Sequence, residues 1–173
     1  DHLTIDASNA GVILDGEGSS FNLLSLNNQY ITIQGLHIVN FNGTAIELWG
    51  NAKHTTIGGD PQTGEGPLGQ GNLITGCRDG ILTREASSYN TFAGNQVGVE
   101  FNGTVGNTYS AIQINDNARG NVIGPDNIIA YSGAPSIDIT TGATKGTTIT
   151  RNLIYGEETI LRMVPPTANF TPA

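Results

Sequence analysis

Only one cysteine, Cys77, occurs in the 173 residues, so no internal disulfide can hold this chain together and the redox compartment stays open. Charge is also scarce. Charged residues make up 13% of the chain and only seven are Lys or Arg, against fifteen Asp and Glu, for a net charge of −8. Clustered Lys and Arg are what phosphate backbones require, so a nucleic-acid surface is not expected. Polyanionic substrates such as pectate or alginate are less natural partners as well, unless a metal bridges the repulsion. No run approaches the roughly 20 apolar residues of a membrane-spanning helix, and no basic-then-apolar signal segment follows Asp1. A sustained apolar period of 3.6 is missing too, which removes the main sign of packed helices.

What remains is rich in turn-formers. The chain has 24 glycines and 18 asparagines, residues that tolerate left-handed backbone, and this favours many short strands joined by tight turns. Its length suits one domain with a sizeable core. Leu3-Thr4-Ile5 and Val12-Ile13-Leu14 already read as strands, so the chain is expected to begin inside a repeating structure.

Three short patterns recur in a fixed order. The first is a strand with alternating apolar positions: Leu24 and Leu26, Ile46 and Leu48, Ile81 and Thr83, Ile112 and Ile114, Ile137 and Ile139. The second places an apolar residue after a polar pair, at Ile33, Ile57, Phe92, Ile123 and Ile149. In the third, an Asn precedes an aliphatic residue by two: Asn72 and Ile74, Asn95 and Val97, Asn127 and Ile129, Asn152 and Ile154, with Leu36 and Ile38 standing in earlier. Steps from first to second pattern are 7, 9, 9, 9 and 10 residues. From second to third they are 5 or 6, except where the Gly/Pro-rich segment Gly58–Gln70 intervenes. A second insertion, Val99–Ser110, separates Val97 from Ile112. Insertions that preserve the flanking register are what loops on a solenoid look like.

Three period-2 strands in each turn of about 22 to 25 residues predict an all-β fold, a single-stranded parallel β-helix of about six rungs. Inward residues should stack in columns such as Ile46, Ile81, Ile112 and Ile137, and Asn72, Asn95, Asn127 and Asn152 should form an asparagine ladder.

The Asn-Leu-Ile and Thr-Ile-Gly-Gly repeats, the insertion Gly59-Asp60-Pro61-Gln62-Thr63-Gly64 and the phrase from Gly66 to Ile74 resemble the right-handed parallel β-helix repeat proteins of large bacterial extracellular polypeptides, within the pectate-lyase-like superfold. The resemblance covers residues 1 to 163 and implies an extracellular or cell-surface module of a larger protein. It fixes no function, because the same scaffold carries lyases, hydrolases, epimerases, adhesins and spacers. Residues 164–173, with Pro165-Pro166, look like a linker toward a downstream immunoglobulin-like domain.

The motifs that mark enzymes on this scaffold are missing: no paired Asp-Asp or Gly-His-Gly, and no Asp-Pro-His-Glu. The outward column of the first strand reads Ser25, Glu47, Leu82, Gln113, Asp138, which sets its two acids three rungs apart, about 14 Å at the usual strand spacing. Glycosidase carboxylate pairs sit roughly 5 to 9.5 Å apart, so this pair is not expected to act together. Arg78 and Asp79 are expected as a surface pair and His54 as a solvated turn residue. Asp60 and Glu65 could offer two oxygens to calcium, but such a site takes about six to eight. No catalytic or metal site is therefore assigned and no cofactor is expected.

Binding offers more. Trp49, Arg84 and Asn115 occupy equivalent places on successive rungs, flanked by Glu47 and Gln113, and together could form a shallow carbohydrate-binding strip with the indole against a sugar ring. Alternatively, Trp49 simply covers the side of a turn. A threonine column, Thr32, Thr56, Thr91 and Thr148, reads as strand propensity. In the third pattern His37, Leu73, Gln96, Ile128 and Leu153 form a column that either meets a neighbouring domain or protomer or turns inward. The reading is thus a non-catalytic spacer or carbohydrate-binding module whose partners are polysaccharide and neighbouring domains of the same polypeptide; the alternative is a polysaccharide lyase or glycoside hydrolase.

Overall fold

A computed structural model describes residues 2–103, 106–140, 145–156 and 158–164. Of the linker expected over 164–173, only Val164 is described, its N–H donating to the Ile139 carbonyl at 2.9 Å; the rest lies outside the described residues. Every regular element described is a strand, and the strands fall into three parallel sheets of six.

Sheet 1 takes Leu3–Asp6, Ile31–Gln34, Thr56–Gly58, Thr91–Ala93, Val122–Ile123 and Thr148–Ile149. Sheet 2 takes Val12–Ser19, Leu36–Phe41, Leu73–Thr75, Gln96–Val97, Ile128–Ala130 and Leu153–Tyr155. Sheet 3 takes Leu24–Leu26, Thr44–Leu48, Asp79–Thr83, Ile112–Ile114, Ile137–Ile139 and Leu161–Met163. The chain visits the sheets in turn, and each strand pairs with its counterpart one rung on. This is a right-handed parallel β-helix of six rungs, the hand that parallel crossover connections favour.

The register explains why such short strands hold. Ile46 pairs with Ile81, Ile81 with Ile112 and Ile112 with Ile137. On sheet 1 the column runs Ile33, Ile57, Phe92, Ile123, Ile149. On sheet 2 it runs Ile38, Ile74, Val97, Ile129, Ile154. These side chains meet in one core cluster, and each fully buried aliphatic side chain contributes about 1.5–3 kcal/mol.

Corners are satisfied by side-chain amides. Asn72 Nδ2 donates to Asn95 Oδ1 at 2.9 Å, Asn95 Nδ2 to Asn127 Oδ1 at 3.1 Å, and Asn127 Nδ2 to Asn152 Oδ1 at 2.8 Å. Each also donates to a main-chain carbonyl, as Asn95 does to Ile57 at 2.9 Å. A shorter relay, unforeseen in the sequence, stands before sheet 1: Thr55 N–H donates to Asn90 Oδ1 at 2.9 Å and Asn90 Nδ2 to Asn121 Oδ1 at 3.1 Å. Glycine is required where a corner brings two backbones together. At Gly58, φ is +89° and a Cβ would lie 2.0 Å from the Ala93 carbonyl oxygen.

Both insertions fold over the outer side of sheet 2. From Gly58–Gln70, Gly66 N–H donates to the Ser8 carbonyl at 2.7 Å and Glu65 N–H to Asn9 Oδ1 at 3.1 Å. From the second insertion, Phe101 sits edge-on against His37 with ring centres 5.3 Å apart. His37 and Leu73 are consequently 6% and 3% exposed, whereas Leu153 in the same column is 57% exposed. The column that the sequence left open is covered by the chain's own loops on its middle rungs and bare at its end.

Candidate functional site

The outward column of sheet 3 is where most polar side chains meet. Register carries Ser25 to Glu47 and Glu47 to Leu82, then Leu82 to Gln113 and Gln113 to Asp138. Leu82 divides this column into two clusters.

The first cluster joins three of the five sequence-assigned residues. Arg84 Nε donates to Glu47 Oε1 at 2.8 Å, while its guanidinium carbon lies 5.8 Å from the centre of the Trp49 ring. Trp49 Nε1 donates to Ser25 Oγ at 2.9 Å, and Ser25 donates in turn to Glu47 Oε2 at 3.2 Å. Asn22 adds a further bond to that oxygen at 3.2 Å. Burial pushes the Glu47 carboxyl up, but the bond and charge of Arg84, with Asn22 and Ser25, more than offset it and hold the group below the usual carboxylate range. Both carboxylate oxygens are occupied and the group is ionised. Such a carboxylate positions neighbours; it does not deliver a proton. Arg84 also pairs with the exposed Glu85.

The second cluster holds the others. Gln113 Nε2 donates to Asp138 Oδ2 at 3.4 Å, and Asp138 is fully buried beneath Arg162, whose Nε reaches Oδ1 at 2.8 Å. Asn115 stands in line with Trp49 and Arg84, and its Oδ1 accepts from the Thr140 hydroxyl. Asn22 and Arg162 carried no signal in the sequence, since only the register across rungs brings them to their partners; Ser25 was legible in the outward column beside Glu47, but not as part of the site.

Two expectations need correction or refinement. Arg78 and Asp79 do lie 3.7 Å apart, but the Asp79 side chain is 2% exposed and so is no surface residue. Its neighbours in the strand register bury it, and burial raises its carboxyl above the usual range. His54 is exposed at its turn as expected, yet it is also stacked between Tyr30 and Tyr89, at 5.3 and 5.6 Å.

Among known protein families, the model of the periplasmic copper-binding protein family (NosD) matches residues 65–170. The chain belongs to the NosD family. That description places members in the periplasm, outside the cytoplasmic membrane, in keeping with an extracellular or cell-surface setting. The match begins in the first insertion, while the same rung-to-rung pairing extends through the rungs before it, with one register shift between Asp15 and Ser19. No curated protein matches the chain. No solved structure matches it either. Among the described residues, no helix is long and apolar enough to cross a membrane.

The NosD description implies copper, which imidazole and sulfur ligands hold. This chain has three histidines, one cysteine and one methionine, all described. His2 and His54 lie on opposite faces of the Tyr30 ring, at 5.0 and 5.3 Å from its centre, so one ion cannot take both. His37 is on sheet 2 beneath Phe101. Cys77 is buried, and that burial pushes its thiol up to about 11, away from the thiolate a metal needs. Met163 ends the last strand of sheet 3. No group of three or more His, Cys, Asp or Glu able to hold a metal ion occurs among the described residues. The donor set does not fit copper. Nor do Asp60 and Glu65 make a calcium cage: the Asp60 carboxylate accepts from Gln62 N–H at 2.9 Å and the Thr63 hydroxyl at 3.2 Å, closing its own turn.

Proposed function

We propose that this chain is a non-catalytic module of a multidomain surface or periplasmic protein, a rigid β-helical spacer that displays a shallow carbohydrate-binding strip. The strip comprises Trp49, Arg84 and Asn115, aligned one rung apart, with Glu47 and Gln113 beside them. One observation carries the reading: the Glu47 carboxylate is saturated by Arg84, Ser25 and Asn22. It therefore serves to fix the Arg84 guanidinium over the indole instead of doing acid–base chemistry. Half-buried Trp49, Arg84 and Asn115 then offer an apolar ring, a cation and an amide along one line, the mixture with which proteins hold sugar rings and hydroxyls.

The spacer role draws on the asparagine ladder and the aliphatic columns. Both repeat from rung to rung, so stiffness extends along the whole stack.

Retention of the chain on a panel of immobilised neutral glycans, with reducing ends assayed in the same samples, tests this reading. Binding without product release, weakened at least tenfold in Trp49→Ala, is the expected result. Release of oligosaccharides that disappears in Arg84→Ala would instead establish a lyase or hydrolase. Binding unchanged in Trp49→Ala would remove the strip.

A further inference from the structure

The net charge of −8 hides a segregation that the rung register exposes. Lys53, Ser88 and Arg119 are bridged in one column at the corner leading into sheet 1, and Gly120 N–H donates to the Lys145 carbonyl at 2.9 Å, placing Lys145 one rung further. Three of the chain's seven Lys and Arg thus line one edge, and none of them is in an ion pair among the described residues. At a rise of about 4.8 Å per rung, Lys53 and Arg119 stand roughly 10 Å apart and Lys145 about 5 Å beyond.

The next column inward along the strands is aromatic. His54 stacks between Tyr30 and Tyr89 at 5.3 and 5.6 Å, and His2 leans on Tyr30 at 5.0 Å with its ring tilted by 40°. Tyr30, His54 and Tyr89 adopt φ of +57°, +54° and +59°, a conformation bulky side chains rarely take, so stacking at this corner offsets a real backbone cost. Tyr30 and Tyr89 nevertheless remain 43% and 53% exposed. Beyond them run the outward threonines Thr4, Thr32, Thr56 and Thr91, in register. Asp6 is the only acidic residue in the outward positions of these strands.

The other two faces differ. Sheet 2 is covered by the insertions on its middle rungs, and sheet 3 uses its cations internally, Arg84 on Glu47 and Arg162 on Asp138. Among the described residues, the leading corner of sheet 1 is where unpaired cations line up.

We propose that this face, with its leading corner, docks a linear anionic polysaccharide running along the helix axis. The spaced cations meet repeating carboxylate or sulfate groups. Phenol, imidazole and threonine hydroxyl edges meet sugar hydroxyls. A single-stranded nucleic acid fits less well, since base stacking needs open ring faces and His54 is closed on both sides by Tyr30 and Tyr89. A second copy of this chain, offering its acidic surface, is the other rival. The surface is separate from the Trp49 strip and stands without it.

Affinity electrophoresis of the whole chain through gels containing dextran sulfate, polygalacturonate or uncharged dextran decides the matter. Retardation by the two anionic polymers but not by dextran is expected, weakening as salt is raised because the contacts are charge on charge. The triple variant Lys53→Gln, Arg119→Gln, Lys145→Gln should lose at least tenfold in affinity, whereas Trp49→Ala should keep it. The single variant Arg119→Gln, at an exposed position, should show part of the loss even if the triple variant folds poorly. No retardation by either anionic polymer overturns the proposal, as does retention by the folded triple variant. So does tighter binding of single-stranded oligodeoxythymidine, or sedimentation showing that the three cations drive self-association instead. Loss of anionic binding in Trp49→Ala would move the site to the strip of sheet 3.

Discussion

Arg162 lies over the fully buried carboxylate of Asp138, with Nε 2.8 Å from Oδ1 and a second guanidinium nitrogen on Oδ2. The two residues are paired across the last two rungs of sheet 3. Gln113 supplies one further, long bond. Removing the arginine would therefore leave a buried charge without a counterion, the situation in which breaking a pair costs most.

Arg162→Ala is expected to destabilise the chain by about 2–3 kcal/mol, below the value for a wholly buried pair because the guanidinium is half solvated. Asp138→Asn in the same background should recover most of that loss. Urea unfolding of the two single variants and the double variant measures the coupling. Additive effects would show that the two side chains do not act as a pair.

Asn95 occupies the middle of the amide relay, donating to Ile57 C=O and Asn127 Oδ1 and accepting from both Asn72 nitrogens. Asn95→Ala strands a main-chain carbonyl and an amide N–H in a region with no solvent, at about 1–3 kcal/mol for each buried group left unsatisfied. A loss of about 3 kcal/mol is expected, against about 1 kcal/mol for Asn152→Ala at the half-buried end. Equal losses at both positions would mean that the relay carries no more energy in its middle than at its end.

The aliphatic columns were legible in the sequence because a period of two and a step of 9 residues survive insertion and leave their mark in residue type. The sheet 2 asparagines were legible for the same reason. Asn90 and Asn121 were not. Their column also holds Thr55, so position alone, and not residue identity, reveals it. Contacts of the site depend on rotamers across rungs: Ser25 and Trp49 are 24 residues apart, and nothing in either neighbourhood announces the bond between them. Phe101 belongs to an insertion outside the three recurring patterns, so its seat on His37 could not be placed beforehand. Charge segregation was hidden for a plainer reason, since a net value averages over faces that only the fold defines.

Protonation gives opposite signatures at two buried sites. His37 has no hydrogen-bond partner on either ring nitrogen, and burial holds its pKa below the ordinary 6.5. The folded state therefore binds the proton less readily than the unfolded one. Stability is complete above pH 6.5 and falls as pH drops through the folded pKa. Thermal melts should show His37→Phe losing less between pH 7 and pH 5 than the parent chain. Matching losses would show that His37 does not set this slope.

Asp79 works the other way. Burial raises its carboxyl above the ordinary 3.8, one oxygen has no partner, and the charge of Arg78, with Ser110 and Thr44, only partly offsets the cost of ionisation. Here the folded state holds its proton more tightly than the unfolded one, so stability is greatest below pH 3.8 and declines as pH rises through the folded pKa. Asp79→Asn retains an oxygen for the Thr44 hydroxyl and cannot ionise. Its melting temperature should match the parent chain near pH 3.5 and exceed it at pH 7, with the gap opening as the parent carboxyl loses its proton. A variant less stable than the parent at pH 7 would show that the ionised carboxylate is held by favourable charge, with Arg78 at 3.7 Å as its partner, and that burial is the smaller effect.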